Sequence, residues 1–143
     1  MFGTKKTDIG TPAMAFFDAC ETGKGWSVCQ SWCEDGATFD CQSGALADMK
    51  SLAAYCDWMQ ANGGPLPDAH YEMTAFGVDQ ERNCVIASAV FKATHTGEGG
   101  PVPPTGKSAS SDYAYIIQFK DGKISHMTKI WNDAFAFGQL GWV

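Results

Sequence analysis

Few side chains in this sequence combine reactive chemistry with a suggestive setting, and the most conspicuous candidate is a loop. The run GGPVPPTGKS, residues 99–108, ends in the letters of a phosphate-binding loop. Such a loop needs G-x-x-x-x-G-K-[ST], backbone N–H groups that wrap the phosphates, and a helix that follows. Here the spacing from Gly100 to Gly106 is one residue too long, Pro101, Pro103 and Pro104 carry no N–H, and the β-patterned SDYAYIIQF comes next. The run therefore reads as a stiff connection between two antiparallel strands. Beside it, His95 ends a strand, where it either orients a ligand or binds the backbone of THTGEGG. His126, set among apolar neighbours, is a candidate donor to a developing enolate oxygen, and a satisfied core or interface histidine is the competing role. Tyr113 and Tyr115 offer phenolic donors or fill space.

The six cysteines, Cys20, Cys29, Cys33, Cys41, Cys56 and Cys84, form no CxxC pair. No histidine stands at ligand spacing to complete a zinc site. The N-terminal MFGTKKTDIGTPAMAFF, with Lys5 and Lys6 ahead of a short apolar patch, has neither the h-region nor the cleavage site of a signal peptide, so the expectation is a cytoplasmic protein with reduced, buried thiols. With 143 residues, 45% of them hydrophobic and 13% aromatic, the chain fits one domain spanning 1–143. A net charge of −6 and no basic run argue against a nucleic-acid surface. No stretch approaches the roughly 18 consecutive apolar residues of a membrane span.

The elements that must position these side chains fall into two halves. TPAMAFFDACETGKG predicts a helix capped by Thr11, with Pro12 in its first turn, Met14, Phe17 and Cys20 inward, and Gly23 and Gly25 at its end. WSVCQSWCEDG reads as a second helix stopping at Gly36, ATFDCQ as a short strand, and LADMKSLAAYCDWMQANGG as a longer helix with Leu52, Tyr55, Cys56 and Met59 on its apolar stripe. From residue 69 the period becomes extended. Strands are expected over 69–78, 84–96, 108–119 and 123–132, with Asp121-Gly122 as a tight hairpin turn and a helical turn after 132. Helices followed by a run of strands indicate an α+β domain with helices on one face of a curved antiparallel sheet.

If the two-residue turn sets the register of the last hairpin, Tyr113, Tyr115, Ile117, Phe119, Ile124, His126, Thr128 and Ile130 share one face. Asp112, Ile116, Met127, Lys129, Trp131 and Asp133 share the other, with Asp112 and Lys129 as a cross-strand ion pair. Both faces are apolar enough to be buried, one against a cavity and one against a partner subunit. A β-bulge would exchange the sets locally.

The order FKATHTGEGGPVPPTGKS, YAYIIQFKDGKISHM, WNDAFAFGQLGW resembles the SnoaL-like polyketide cyclase group of the nuclear-transport-factor-2-like superfamily. There a strand ending in H-x-G, a proline loop, T-G-[KR], a D-G-K-I hairpin and a terminal Q-L-G recur. The resemblance is strongest over residues 88–142. It implies a cone-like curved sheet wrapped over three helices and enclosing an apolar pocket. Members include cyclases of polyketide esters, ketosteroid isomerases, dehydratases, epoxide hydrolases and non-catalytic proteins, so the fold alone assigns no chemistry. For the cyclases the resemblance implies acid–base catalysis on a hydrophobic carbonyl compound by a cavity aspartate, without metal or organic cofactor. Asp133, before QLG, resembles that aspartate, and an apolar pocket would raise its pKa toward a useful range. Capping of the terminal helix by Asn132 or Asp133 is its alternative. The resulting expectation is a catalytic set of Asp133, His126 and His95, with Tyr113, Tyr115 and Trp131 against a small hydrophobic molecule, in a homodimer joined through the sheet. A binding module for a lipophilic ligand and a dimeric scaffold are the alternatives.

Overall fold

The computed structural model describes residues 7–143, so Lys5 and Lys6 lie outside the described residues. Helix α1 spans Gly10–Glu21. Its start is set by Asp8, whose carboxylate accepts from the Thr11 amide at 3.2 Å and the Thr11 hydroxyl at 2.6 Å. Thr11 therefore sits inside the first turn and is not the cap. Met14 is exposed, and the buried stripe is Ala13, Phe16, Phe17 and Cys20, ending on Glu21.

The expected second helix is cut short. Helix α2 covers Trp26–Cys29, one 3₁₀ turn follows over Gln30–Trp32, and strand β1 already begins at Cys33 and runs to Cys41. Cys33 is extended, with φ −121° and ψ 155°, because it pairs with Ile124 across the sheet. That tertiary pairing overrides the local 3-and-4 spacing of Trp26, Cys29 and Cys33. Helix α3 is also shorter than its pattern suggests, covering Leu52–Ala61. Ser51 caps it by accepting from the Ala54 amide at 3.1 Å, and Ser51 is held by a bridge to Thr38. Leu52, Tyr55, Cys56 and Met59 are all buried, as their spacing predicts.

Strands β2 (His70–Asp79), β3 (Cys84–Thr94), β4 (Ser108–Lys120) and β5 (Lys123–Trp131) follow, and helix α4 (Asp133–Leu140) closes the fold. The sheet order is β1-β5-β4-β3-β2. All neighbours are antiparallel except β1 and β5, so the curved sheet is mixed, not purely antiparallel, and it is open at β1 and β2. A parallel pair needs a long crossover, and the chain from Cys41 to Lys123 supplies it. The helices cover one face, where Phe16, Phe17, Phe39, Tyr55, Tyr115, Ile117 and Met127 are almost fully excluded from water.

The last hairpin carries the most consequential departure. Asp121 and Gly122 both have positive φ, 51° and 81°, as a two-residue type I′ turn requires. Lys120 opposes Lys123 and Phe119 opposes Ile124, but the next pair is Gln118 with His126. Ser125 is thus an extra residue, a β-bulge, and every pair beyond it is displaced by one. Since side chains alternate with period two, a one-residue slip exchanges the faces. Met127, Lys129 and Trp131 join Tyr113, Tyr115, Ile117, Phe119 and Ile124 on the inner face, while His126, Thr128 and Ile130 turn outward with Asp112 and Ile116. The expected Asp112–Lys129 ion pair is thereby overturned: Asp112 is exposed on the outer face and Lys129 is only 6% exposed on the inner one.

Deleting Ser125 removes only the bulge and leaves each later pair and both faces as they are. Deleting Thr128 turns Lys129 and Trp131 outward. Thermal unfolding is expected to show a cooperative transition for the first deletion and none for the second.

Candidate active site

The inner face of β3, β4 and β5 meets the C-terminal end of α1, the end of α3 and helix α4 around a pocket of about 140 Å3. Its apolar wall includes Trp58, Leu66, Phe91, Trp131 and Phe137, and its polar groups include Glu21, Tyr113 and Lys129. An adjoining open hollow of about 380 Å3 shares Trp58, Asn62, Phe137 and Trp142 with it and extends to Gly99, Gly100 and Pro101. The proline loop therefore lies beside the pocket. It is fixed there by the bond from the Gly97 amide to the Pro65 carbonyl, 3.0 Å, and by contact so close that a Cβ on Gly97 would overlap the Gly64 carbonyl oxygen.

Glu21 and Lys129 are joined by two buried phenols. Lys129 Nζ donates to Tyr55 Oη at 2.8 Å, the Tyr55 and Tyr115 hydroxyls are 2.5 Å apart, and Tyr115 Oη donates to Glu21 Oε2 at 2.5 Å. Each residue comes from a different element: β5, α3, β4 and α1. Burial raises the Glu21 carboxyl pKa, and the Lys129 charge and neighbouring phenols oppose that shift without cancelling it. Burial lowers the Lys129 pKa, against the pull of Glu21. Burial, reinforced by Glu21, pushes Tyr55 and Tyr115 well above the ordinary phenol value, so both remain protonated donors. Lys129 Nζ also sits among aromatic rings, 4.1 Å from the centroid of Trp131, 5.1 Å from Tyr55, 5.5 Å from Tyr113 and 5.7 Å from Trp58.

Tyr113 is the odd member of the set. Its ring packs 5.3 Å from Tyr115 and its hydroxyl is buried close to Glu21, yet that hydroxyl has no partner at hydrogen-bonding distance. A buried hydroxyl without a partner costs about 1–3 kcal/mol. A ligand oxygen in the pocket would relieve that cost.

Of the six residues singled out from sequence, Tyr113 and Trp131 line the pocket, and Tyr115 lies behind it in the hydrogen-bond chain to Glu21. Asp133, His126 and His95 are not brought together. Asp133 Oδ2 accepts from the Ala45 amide at 2.7 Å, tying the 3₁₀ turn Gly44–Leu46 to the start of α4, while Asn132 caps that helix through the Phe135 amide. His126, on the outer face, lies 2.6 Å through Nδ1 from the Thr38 hydroxyl. His95 is fully buried, and its Nδ1 accepts from Trp142 Nε1 at 2.9 Å and from the Thr105 amide at 3.3 Å. The ring thus holds Thr105 and Trp142 and not the backbone of THTGEGG, of which only Gly100 packs against the other ring nitrogen, itself without a hydrogen-bond partner.

Sequence reasoning passed over Glu21, Trp58 and Lys129 as pocket groups, and Tyr55 as the buried link behind them. Glu21 did carry a signal: with Ala13 and Phe17 it lies on one four-residue helical repeat, an acid on an apolar stripe. Lys129 carried none, because its face depends on the bulge. Among the described residues no three His, Cys, Asp or Glu side chains converge as metal ligands would, and no helix is long and apolar enough to cross a membrane.

Comparison with known proteins agrees with this architecture. No curated protein matches the sequence. Among solved structures, AclR from Streptomyces galilaeus superposes with a TM-score of 0.75 at 20% identity, covering 94% of this chain and 82% of that one. IdmH from Streptomyces antibioticus, a candidate polyketide cyclase, gives 0.74 at 18% identity over 94% of this chain and 99% of its own. A LEH-like epoxide hydrolase from M. tuberculosis gives 0.65 at 10% identity, covering 96% and 92%. At these identities the likeness speaks for the fold. The sequence profile of the SnoaL-like polyketide cyclases matches residues 10–140, nearly the whole chain, and the protein belongs to that family.

Proposed function

We propose that the protein catalyses proton transfer on a hydrophobic carbonyl compound, with Glu21 as the base and Tyr113 as the donor to the carbonyl oxygen. The observation that carries this reading is the pair itself: a buried carboxyl of raised pKa and a buried hydroxyl without a partner, side by side in one apolar pocket. The Tyr113 hydroxyl, donating to a ligand carbonyl, would stabilise the negative charge that builds up on its oxygen as an enolate forms. The carbon next to that carbonyl would then face Glu21, whose carboxylate takes the proton. Tyr115, donating to Glu21 Oε2, leaves the other carboxylate oxygen for this step. Trp58, Trp131 and Phe137 give the substrate its apolar contacts and exclude water. For Asp133 and His95, the partners they hold support positioning roles at the pocket's edge.

Proton abstraction can be read without the natural substrate. In deuterated water, the protein is expected to accelerate exchange of the α-protons of 2-tetralone, followed by NMR. Glu21→Gln should lower that rate by about 10²–10⁴-fold. Equal exchange by the variant would remove Glu21 from the mechanism.

The ionisation of Glu21 gives a second, separate test. Its folded pKa is raised above the ordinary 4.5, so the native state holds this proton to higher pH than the unfolded chain does. This group's contribution to stability therefore falls as pH rises from 4.5 through the raised value. Lys129→Met removes the charge that opposes the shift, so the Glu21 carboxyl carbon, titrated by NMR, should move further up in that variant.

The outer face of the sheet supports assembly as a homodimer. Ile86 and Ile130 are 47% and 57% exposed there, beside the partly covered Val90 and Ile116. Light scattering at micromolar concentration is expected to show a dimer, and Ile86→Lys combined with Ile130→Glu to give a monomer of unchanged fold.

A further inference from the structure

Lys129 is the buried nucleophile that the proposed proton transfer leaves unused. Among the described residues no carboxylate lies within 4.0 Å of its Nζ, although four other ion pairs form. Its one side-chain hydrogen bond goes to the buried Tyr55, aromatic rings surround it, and it lines the same pocket as Glu21 and Tyr113. An amine held this way in an apolar site is an activated nucleophile toward carbonyl carbon.

We propose that Lys129 forms an imine with an aldehyde or ketone bound in the pocket, so that this site captures carbonyl compounds covalently. The idea rests on the carbonyl-binding reading of the pocket. The amine lone pair attacks the carbonyl carbon, a C–N bond forms, and the carbonyl π electrons move to oxygen, which takes up a proton donated by Tyr113. The nitrogen proton leaves along the bond to Tyr55, then Tyr115, and reaches the Glu21 carboxylate; each phenol gives one proton and receives one. Protonated Glu21, which also faces the pocket, returns that proton to the carbinolamine hydroxyl, and water departs as C=N forms. Tyr113 is reprotonated from solvent as the nitrogen proton of the iminium is lost. The sum is amine plus carbonyl giving imine plus one water. Burial, which lowers the Lys129 pKa, favours the free amine that this step needs.

The test uses hydrocinnamaldehyde with the full chain near neutral pH, in the presence of cyanoborohydride, which reduces an iminium to a stable secondary amine. Binding is followed independently by quenching of tryptophan fluorescence. The expected result is a single reduced adduct mapped by peptide mass to Lys129, formed at least tenfold faster than on any surface lysine. It should be absent from Lys129→Met and slowed in the folded Tyr55→Phe variant. Quenching without a Lys129 adduct would overturn the imine and leave the carbonyl pocket standing. Absence of both quenching and adduct would overturn both.

Discussion

The hydrogen-bonded series Lys129, Tyr55, Tyr115, Glu21 is the constraint around which the remaining structure is arranged. Two ionisable groups have been taken out of water and connected only through neutral phenols. Burying either end alone would cost several kcal/mol, and a partly satisfied network is worse than an apolar one. The four residues must therefore be brought into register together. Because they come from α1, α3, β4 and β5, satisfying them fixes how both long helices sit on the sheet.

The aromatic packing explains how the phenols keep their positions without help from solvent. Tyr55 stacks on Phe39 at 4.3 Å between centroids and meets Tyr115 edge-on at 6.0 Å, while Phe17 packs against Tyr115 from α1. Such contacts contribute about 0.5–1.5 kcal/mol each beyond burial, and they set ring direction, which aims the hydroxyls. Small thiols let the helices approach this closely. Cys20 and Cys56, the sequence neighbours of Glu21 and Tyr55, place their sulfurs 4.0 Å apart between α1 and α3, and all six cysteines are buried and free. Larger side chains at those two positions would separate the helices and lengthen the series at both ends.

Much of this fold was legible in the sequence because its strands obey local rules. Alternation in SASSDYAYIIQF marks β4, the Asp121-Gly122 turn marks the hairpin, and the spacing of Leu52, Tyr55, Cys56 and Met59 marks α3. The site was far less legible, for a specific reason. Ser125 is neither glycine nor proline and gives no local hint of a bulge, yet its presence decides whether His126 or Lys129 faces the core. Similarly, Cys33 and Gly36 look like the end of a helix until β5 offers Cys33 a parallel partner. In both cases the deciding contact lies about ninety residues away or on the other side of a hairpin, where local pattern carries no information about it. Tyr113 and Trp131, which the predicted register put on opposite faces, share the inner face and line one pocket because of that same bulge.

The proline loop completes the site by a different mechanism from the core. Its three prolines limit its conformations, and its ends are clamped by His95, whose backbone carbonyl accepts from Gly106 and whose amide donates to Lys107. The His95 ring, accepting the Trp142 indole proton, couples this loop to the residues after α4, and Thr105 donates to the Leu140 carbonyl. Loop and terminal helix thus form one rim, joined by hydrogen bonds that leave the pocket itself apolar. A rim that is already ordered loses little further entropy when a ligand enters. On the proposed reading, binding free energy can then go toward desolvating a carbonyl group beside Glu21, Tyr113 and Lys129, where the electrostatic effect of each of those groups is largest.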